Sequence, residues 1–253
     1  MEEIYLTDDI IIYNSKFYHK KNDKNVLIGN KKWLTILDKC GWEKLDTLWV
    51  RRLNKYRETK SDKTKWGILD TNPDGNCFYN VIAEAFNYYY KKTNNDILYD
   101  SQDIRKTISN EINNENYEEI MMFYNIEKMN GEFDNQWEIE NIKTYQDLRN
   151  ELIKPGHNYW ADFIIMQLTL NAFNINIILL NEPKDIPMNQ CKIYPFGSDL
   201  DVTKKSVIIY YYNNNHFKLI GYYDNNCMNT LFEYKDLPKE IIRIYEMDSR
   251  KIE

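Results

Sequence analysis

The turn Asn72-Pro73-Asp74-Gly75-Asn76 runs directly into Cys77. Phe78, Val81, Ile82, Ala85, Phe86 and Tyr89 then recur at helical spacing, so a helix is predicted to start at the cysteine. A thiol in the first turn of a helix faces unpaired backbone N–H groups and the positive end of the helix dipole, both of which favour the thiolate. The N–H groups of Asp74, Gly75, Asn76 and Cys77 are also placed to bind an oxyanion. Gly75 gives the turn dihedrals that an L-residue resists. One short segment thus offers a nucleophile and a charge stabiliser, the two requirements of acyl transfer. The same pattern also admits a cysteine that is simply a small buried apolar side chain.

A cysteine nucleophile needs an imidazole to take its proton. Of three histidines, His19 sits in a basic polar stretch and reads as solvated, and His157 follows Pro155-Gly156 in a loop. His216 opens a strand after Asn213-Asn214-Asn215, where a rigid scaffold can aim it, although a locally bonded hairpin histidine fits that position too. Cys40, Cys191 and Cys227 lack the turn-helix context and read as structural or incidental.

The elements that must position these groups are legible in outline. Ile10 to Tyr13 suggests a strand, and Trp33, Leu34 and Leu37, then Leu45, Leu48 and Trp49, suggest two short helices around Gly41. The charged run Arg51 to Lys65 reads as a helix end and a linker near Thr59 to Thr64. Residues 1–65 are therefore set apart as an N-terminal extension of unknown role, and 66–253 as the catalytic domain. Helices are predicted from Ser101 to Ile112, Tyr117 to Asn125, Tyr145 to Ile153, Trp160 to Phe173 and Pro238 to Tyr245. Strands are predicted at Ile175 to Leu180, Val207 to Tyr212 and His216 to Tyr223. In the last of these, alternation puts His216, Lys218, Ile220 and Tyr222 on one face and Phe217 and Leu219 on the other. Helices in mid-chain and strands pairing late imply an α+β fold with a central, mostly antiparallel sheet.

Composition narrows the function classes. Aromatic residues at 15% and apolar residues at 43% can fill a sizeable core. A net charge of −6 argues against a nucleic-acid partner. Met1 to Asp9 lacks the pattern of a signal peptide and no stretch suits a membrane span, so a soluble cytoplasmic protein with free thiols is expected. Four scattered cysteines and three histidines give little support to a metal site.

Three blocks together carry a resemblance. Asp74-Gly75-Asn76-Cys77-Phe78-Tyr79 resembles the nucleophile motif of the OTU (ovarian tumour) family of deubiquitinating cysteine proteases. Tyr159-Trp160-Ala161-Asp162, Ile165-Met166-Gln167-Leu168 and Asn174-Ile175-Asn176-Ile177 resemble its central tryptophan-helix-strand block. Asn215-His216-Phe217 resembles its histidine motif. The likeness spans about Trp66 to Tyr223, and the segment beyond, with Asn229-Thr230-Leu231-Phe232 and Leu237-Pro238, is similar to OTU-like proteins of large DNA viruses.

The resemblance implies a papain-like fold and cofactor-free hydrolysis of the bond after the C-terminal glycine of ubiquitin. Cys77 would be the nucleophile, His216 its base and Asp74 the acid that orients the imidazole, because the motif includes Asp74. It also implies a helical arm over ubiquitin in about Asn94 to Asn158, where Glu118, Glu119 or Asp134 could meet ubiquitin's basic tail, and a narrow tail channel with Trp160 as a candidate wall. Two positions depart from the pattern. Lys218 stands two residues after the histidine, where relatives carry Asp or Asn, so Asp70 or the amides of Asn213 and Asn214 are alternative orienting groups. Ile165 stands where many relatives carry an acid. Alternative functions are a catalytically impaired ubiquitin-binding module, a protease for another ubiquitin-like modifier, or a structural protein.

Overall fold

Short runs of β-branched and aromatic residues open the chain as a four-stranded antiparallel meander: β1 (Ile4–Tyr5), β2 (Ile10–Tyr13), β3 (Lys16–Lys21) and β4 (Lys24–Leu27). Asn14 and Ser15, with φ of 49° and 62°, make the β2–β3 turn of the kind that matches strand twist. The computed structural model describes residues 3–22, 24–58, 64–93, 95, 97–182, 193–197, 199–212 and 215–249.

The chain continues through α1 (Trp33–Leu37), β5 (Trp42–Lys44), α2 (Thr47–Lys55) and β6 (Trp66–Leu69). Five helices follow: α3 (Cys77–Thr93), α4 (Ser101–Ser109), α5 (Tyr117–Asn130), α6 (Tyr145–Leu152) and α7 (Phe163–Ala172). Capping boxes start two of them, Asp100 with Asp103 on α4 and Thr144 with Asp147 on α6. The last section holds β7 (Ile175–Asn181), β8 (Ile193–Pro195), β9 (Lys205–Tyr212), β10 (His216–Asp224), β11 (Cys227–Asn229), β12 (Leu231–Phe232) and α8 (Lys239–Ser249).

The central sheet runs β5-β6-β10-β9-β7-β8, with β11 on β10 and β12 on β9. Only β7 and β9 are parallel among these pairs, so the expectation of an α+β fold around a mostly antiparallel sheet holds. Side chains of β10 alternate as the sequence implies. Phe217, Leu219 and Tyr223 pack with α3, while Ile220 packs on the other face with Trp49 of α2 and Ile241 and Ile244 of α8.

Two sequence expectations shift. The division after residue 65 falls between β5 and β6, which are paired neighbours (Trp42 opposite Leu69, Lys44 opposite Gly67). Ile10, Ile12, Phe17 and Trp33 also share one core with Cys77 and Phe78, so the strands and helices before β6 are packed into the rest. The charged run 51–65 hid this, because the same helix buries Trp49, Val50 and Leu53 on its other side. Residues 59–63, read as a linker, and Asn213 and Asn214 lie outside the described residues. The helix expected from Trp160 starts at Phe163, because the Asp162 carboxylate accepts the Ile165 N–H at 2.9 Å and caps it there.

Candidate active site

The nucleophile turn is built by close backbone contact. Gly75 has φ of +81°, and a Cβ there would lie 2.5 Å from the Gly156 carbonyl carbon and from the His157 nitrogen. Only glycine fits, so the turn lies directly against the 156–157 segment. The Asn76 carbonyl accepts the Asn80 N–H at 2.8 Å, which starts α3. By the trans geometry of the peptide, the Cys77 N–H points away from the helix toward the front of the turn.

Cys77 is buried, at 3% exposure. Burial pushes its thiol above the ordinary value, offset in part by the N–H groups of Phe217 and Phe78, with Asp74 adding to the rise. The helix start alone therefore does not deliver a resting thiolate, contrary to the simplest reading of the motif. The Thr71 hydroxyl lies 3.2 Å from the Cys77 carbonyl and 3.0 Å from the Phe217 carbonyl, bracing the helix start to β10.

Nε2 of His216 is 2.7 Å from Oδ1 of Asp70, whose Oδ2 accepts the Lys218 ammonium, also at 2.7 Å. Burial pushes the Asp70 carboxyl up, but the hydrogen bonds from Lys218 and His216 outweigh this and hold it below the ordinary range. An ionised carboxylate only accepts, so Nε2 carries a proton, and the neutral tautomer that makes this bond has its lone pair on Nδ1. Lys218 thus holds the second oxygen of the carboxylate that His216 contacts.

Thr71 holds the start of α3 to the strand end that carries His216, and Asp70, one of the two alternatives to Asp74, pairs with the imidazole. Asp74 is exposed, and its Oδ1 accepts the Asn76 N–H at 3.0 Å within the turn. That bond also engages one of the four N–H groups expected to face an oxyanion. His157 is exposed and contacts the Trp160 ring at 4.8 Å. His19 is paired with Asp9 at 2.9 Å rather than solvated. Sequence reading missed Thr71 and Arg105. Among the described residues no group of three His, Cys, Asp or Glu side chains could hold a metal, and no helix is long and apolar enough to cross a membrane.

Beside Phe217 and Asn215 a groove of about 450 Å³ is lined by Trp160, Asp162, Glu127, Glu132 and Asp134. Burial raises the Glu127 carboxyl to about 7, and Asp162, Glu132 and Asp134 add to the rise. The groove therefore gathers four carboxyl groups, and it borders Phe217, the residue after His216.

A family model described as OTU-like cysteine protease matches residues 72–218. Among solved structures, the chain is similar to the OTU domain of OTUD1 at 13% identity, covering 68% of this chain and 93% of that one with a TM-score of 0.40. It is similar to an ovarian tumor (OTU) domain in complex with ubiquitin at 17% identity, covering 74% and 88% with a TM-score of 0.39. The Hazara virus OTU bound to ubiquitin is similar at 12% identity, covering 61% and 80% with a TM-score of 0.35. No curated protein matches the chain.

Proposed function

The chain belongs to the OTU-like cysteine protease family, and on that premise we propose that it is a deubiquitinase that cleaves the bond after the C-terminal glycine of ubiquitin. In this reading Cys77 is the nucleophile, His216 the general base and acid, and Asp70, in place of Asp74, the orienting acid. The observation that carries it is Thr71 holding the start of α3 at Cys77 to β10 beside His216, while Asp70 engages Nε2 of that imidazole and not Nδ1.

The chemistry follows from that arrangement. Nδ1 takes the proton from Sγ, and the sulfur forms a bond to the glycine carbonyl carbon. The carbonyl electrons move to oxygen, where the Cys77 N–H stabilises the charge. The C–N bond then breaks, and the imidazolium returns its proton to the leaving lysine amine. Water attacks the thioester with His216 again as base, releasing the carboxylate and restoring the thiol. Because burial disfavours the thiolate at rest, the proton moves when substrate approaches.

The acidic groove, whose lining includes Trp160 and Phe217, suits the basic tail of ubiquitin. On α5, Met122, Ile126 and Met129 are exposed at 62%, 49% and 86% and lie on one face, an apolar stripe suited to the globular body of the same partner. Asp74 acts by shaping the turn.

The test is incubation with a ubiquitin bearing a C-terminal electrophile. The wild-type chain forms a covalent adduct and Cys77→Ala forms none. A wild-type chain inert to the ubiquitin probe but labelled by the same probe built on another ubiquitin-like modifier moves the substrate and keeps the chemistry. An adduct in Cys77→Ala removes the nucleophile assignment.

A further inference from the structure

Behind the nucleophile turn lies a guanidinium with no access to solvent. Arg105, in α4, is 0% exposed. Its Nε donates to Oδ1 of Asn76 at 3.0 Å, Nη1 to the carbonyls of Leu152 (3.0 Å) and Tyr159 (3.2 Å), and Nη2 to those of Gly75 (3.1 Å) and Gly156 (3.0 Å). All five donors of the fork are satisfied. None of the five acceptors is a carboxylate, whereas a buried charge is ordinarily paired with an opposite one. The Tyr79 ring lies under the cation, 3.8 Å from ring centre to Cζ. The ionisable groups around the guanidinium are Tyr79, Asp74 and Cys77.

We propose that Arg105 is a positioning residue for the proposed cleavage reaction. It fixes the nucleophile turn through the Gly75 carbonyl and the Asn76 carboxamide, and its buried positive charge offsets the negative charge that forms on Sγ of Cys77 and on the oxyanion.

The geometry gives each half of this role a cause. Drawing the Gly75 carbonyl inward fixes the plane of the following peptide and so the start of α3, where the Cys77 N–H points outward. Oδ1 of Asn76 accepts from both Arg105 and the Gly156 N–H, each at 3.0 Å, so the same fork locks the turn to the 156–157 segment. In a dry site a fixed cation acts on developing negative charge far more strongly than in water. A neutral clamp would supply the hydrogen bonds without that charge.

This inference rests on the cysteine-protease reading, and its test separates the two. Arg105→Lys and Arg105→Met are compared with wild type by three measurements. These are the pH dependence of iodoacetamide alkylation at Cys77, followed by mass spectrometry, kcat and KM on a ubiquitin C-terminal fluorogenic substrate, and the thermal midpoint. Arg105→Met shifts the alkylation midpoint upward by about one pH unit, as loss of a nearby cation does. Arg105→Lys keeps the charge and holds the wild-type alkylation midpoint, but with fewer donors its kcat falls about 100-fold at unchanged KM.

Folded Arg105→Met with the wild-type alkylation midpoint and kcat overturns the proposal. So does Arg105→Lys with wild-type kcat, which decides the matter if Arg105→Met does not fold. If wild type turns over no ubiquitin substrate, the proposed function fails while the alkylation profile still reports on Arg105.

Discussion

Asp70 and His216 are 146 positions apart in the chain and 2.7 Å apart in space. The register of β6 against β10, with Leu69 opposite Leu219, carries Asp70 to the end of β10 where His216 and Lys218 project. Lys218, which by sequence weakens the case for catalysis, reaches the other oxygen of the same carboxylate.

This relationship predicts different outcomes at two aspartates. Asp70→Ala lowers kcat/KM about 100-fold, short of the roughly 10⁴-fold loss seen when a buried triad acid is replaced, because water can reach Asp70 and substitute in part. Its side chain is 49% exposed, which permits that substitution. Asp74→Ala frees the Asn76 N–H and loosens the turn, with a loss several times smaller. Steady-state assays of the two variants side by side check this, and a larger loss in Asp74→Ala would reinstate Asp74 as the orienting acid.

The sequence made Cys77 and His216 visible because their cues are local: a turn feeding an apolar helix, and a histidine at the start of an alternating strand. Asp70 was visible only as one alternative, since its contact with His216 comes from strand register between distant segments, which no local pattern encodes. Arg105 left a weak trace. Ile104 and Ile108 mark the buried face of α4, and Arg105 lies beside it, where a charge calls for explanation. The packing of the strands and helices before β6 was hidden because the strongly charged surface of α2 resembles a linker.

Glu127 predicts a pH effect on binding. Its carboxyl is raised to about 7, by burial first and then by Asp162, Glu132 and Asp134. It is therefore neutral below that pH and negative above it, so a basic tail binds more tightly as pH rises through about 7. KM for a ubiquitin substrate falls over that interval in wild type. Glu127→Gln flattens the change and raises KM at pH 8 by roughly threefold, the scale of a partly exposed ion pair. A KM profile in Glu127→Gln identical to wild type would detach the groove from the tail.

Gly75→Ala tests the close approach that shapes the turn. The added Cβ would meet Gly156 and His157 backbone atoms at 2.5 Å, and the residue would hold a φ of +81°. The left-handed conformation alone costs about 1–2 kcal/mol for an L-residue, and the contact must be relieved by moving the turn off the 156–157 segment. Activity falls more than stability does, because the movement displaces the Cys77 N–H. Circular dichroism melts and kcat measured on one preparation distinguish this from general unfolding, and wild-type kcat would contradict it.

The N-terminal meander is proposed to be part of the same cooperative unit as the candidate site. Phe17 of β3 is 0% exposed and stacks on Tyr88 of α3 at 6.4 Å and against Tyr223 of β10 at 6.3 Å. Tyr88 accepts the Trp42 indole N–H at 2.9 Å, which ties β5 into the same contact. Removing the Phe17 ring empties a site walled by three separate elements that cannot all collapse inward, so Phe17→Ala costs about 3–5 kcal/mol. For a chain of this size that lowers the thermal midpoint by roughly 10 °C. The melt stays a single transition, and Cys77 becomes open to alkylation as the far-ultraviolet signal is lost. An early, separate transition that leaves the thiol environment intact would instead show that the meander unfolds independently of the helix carrying Cys77.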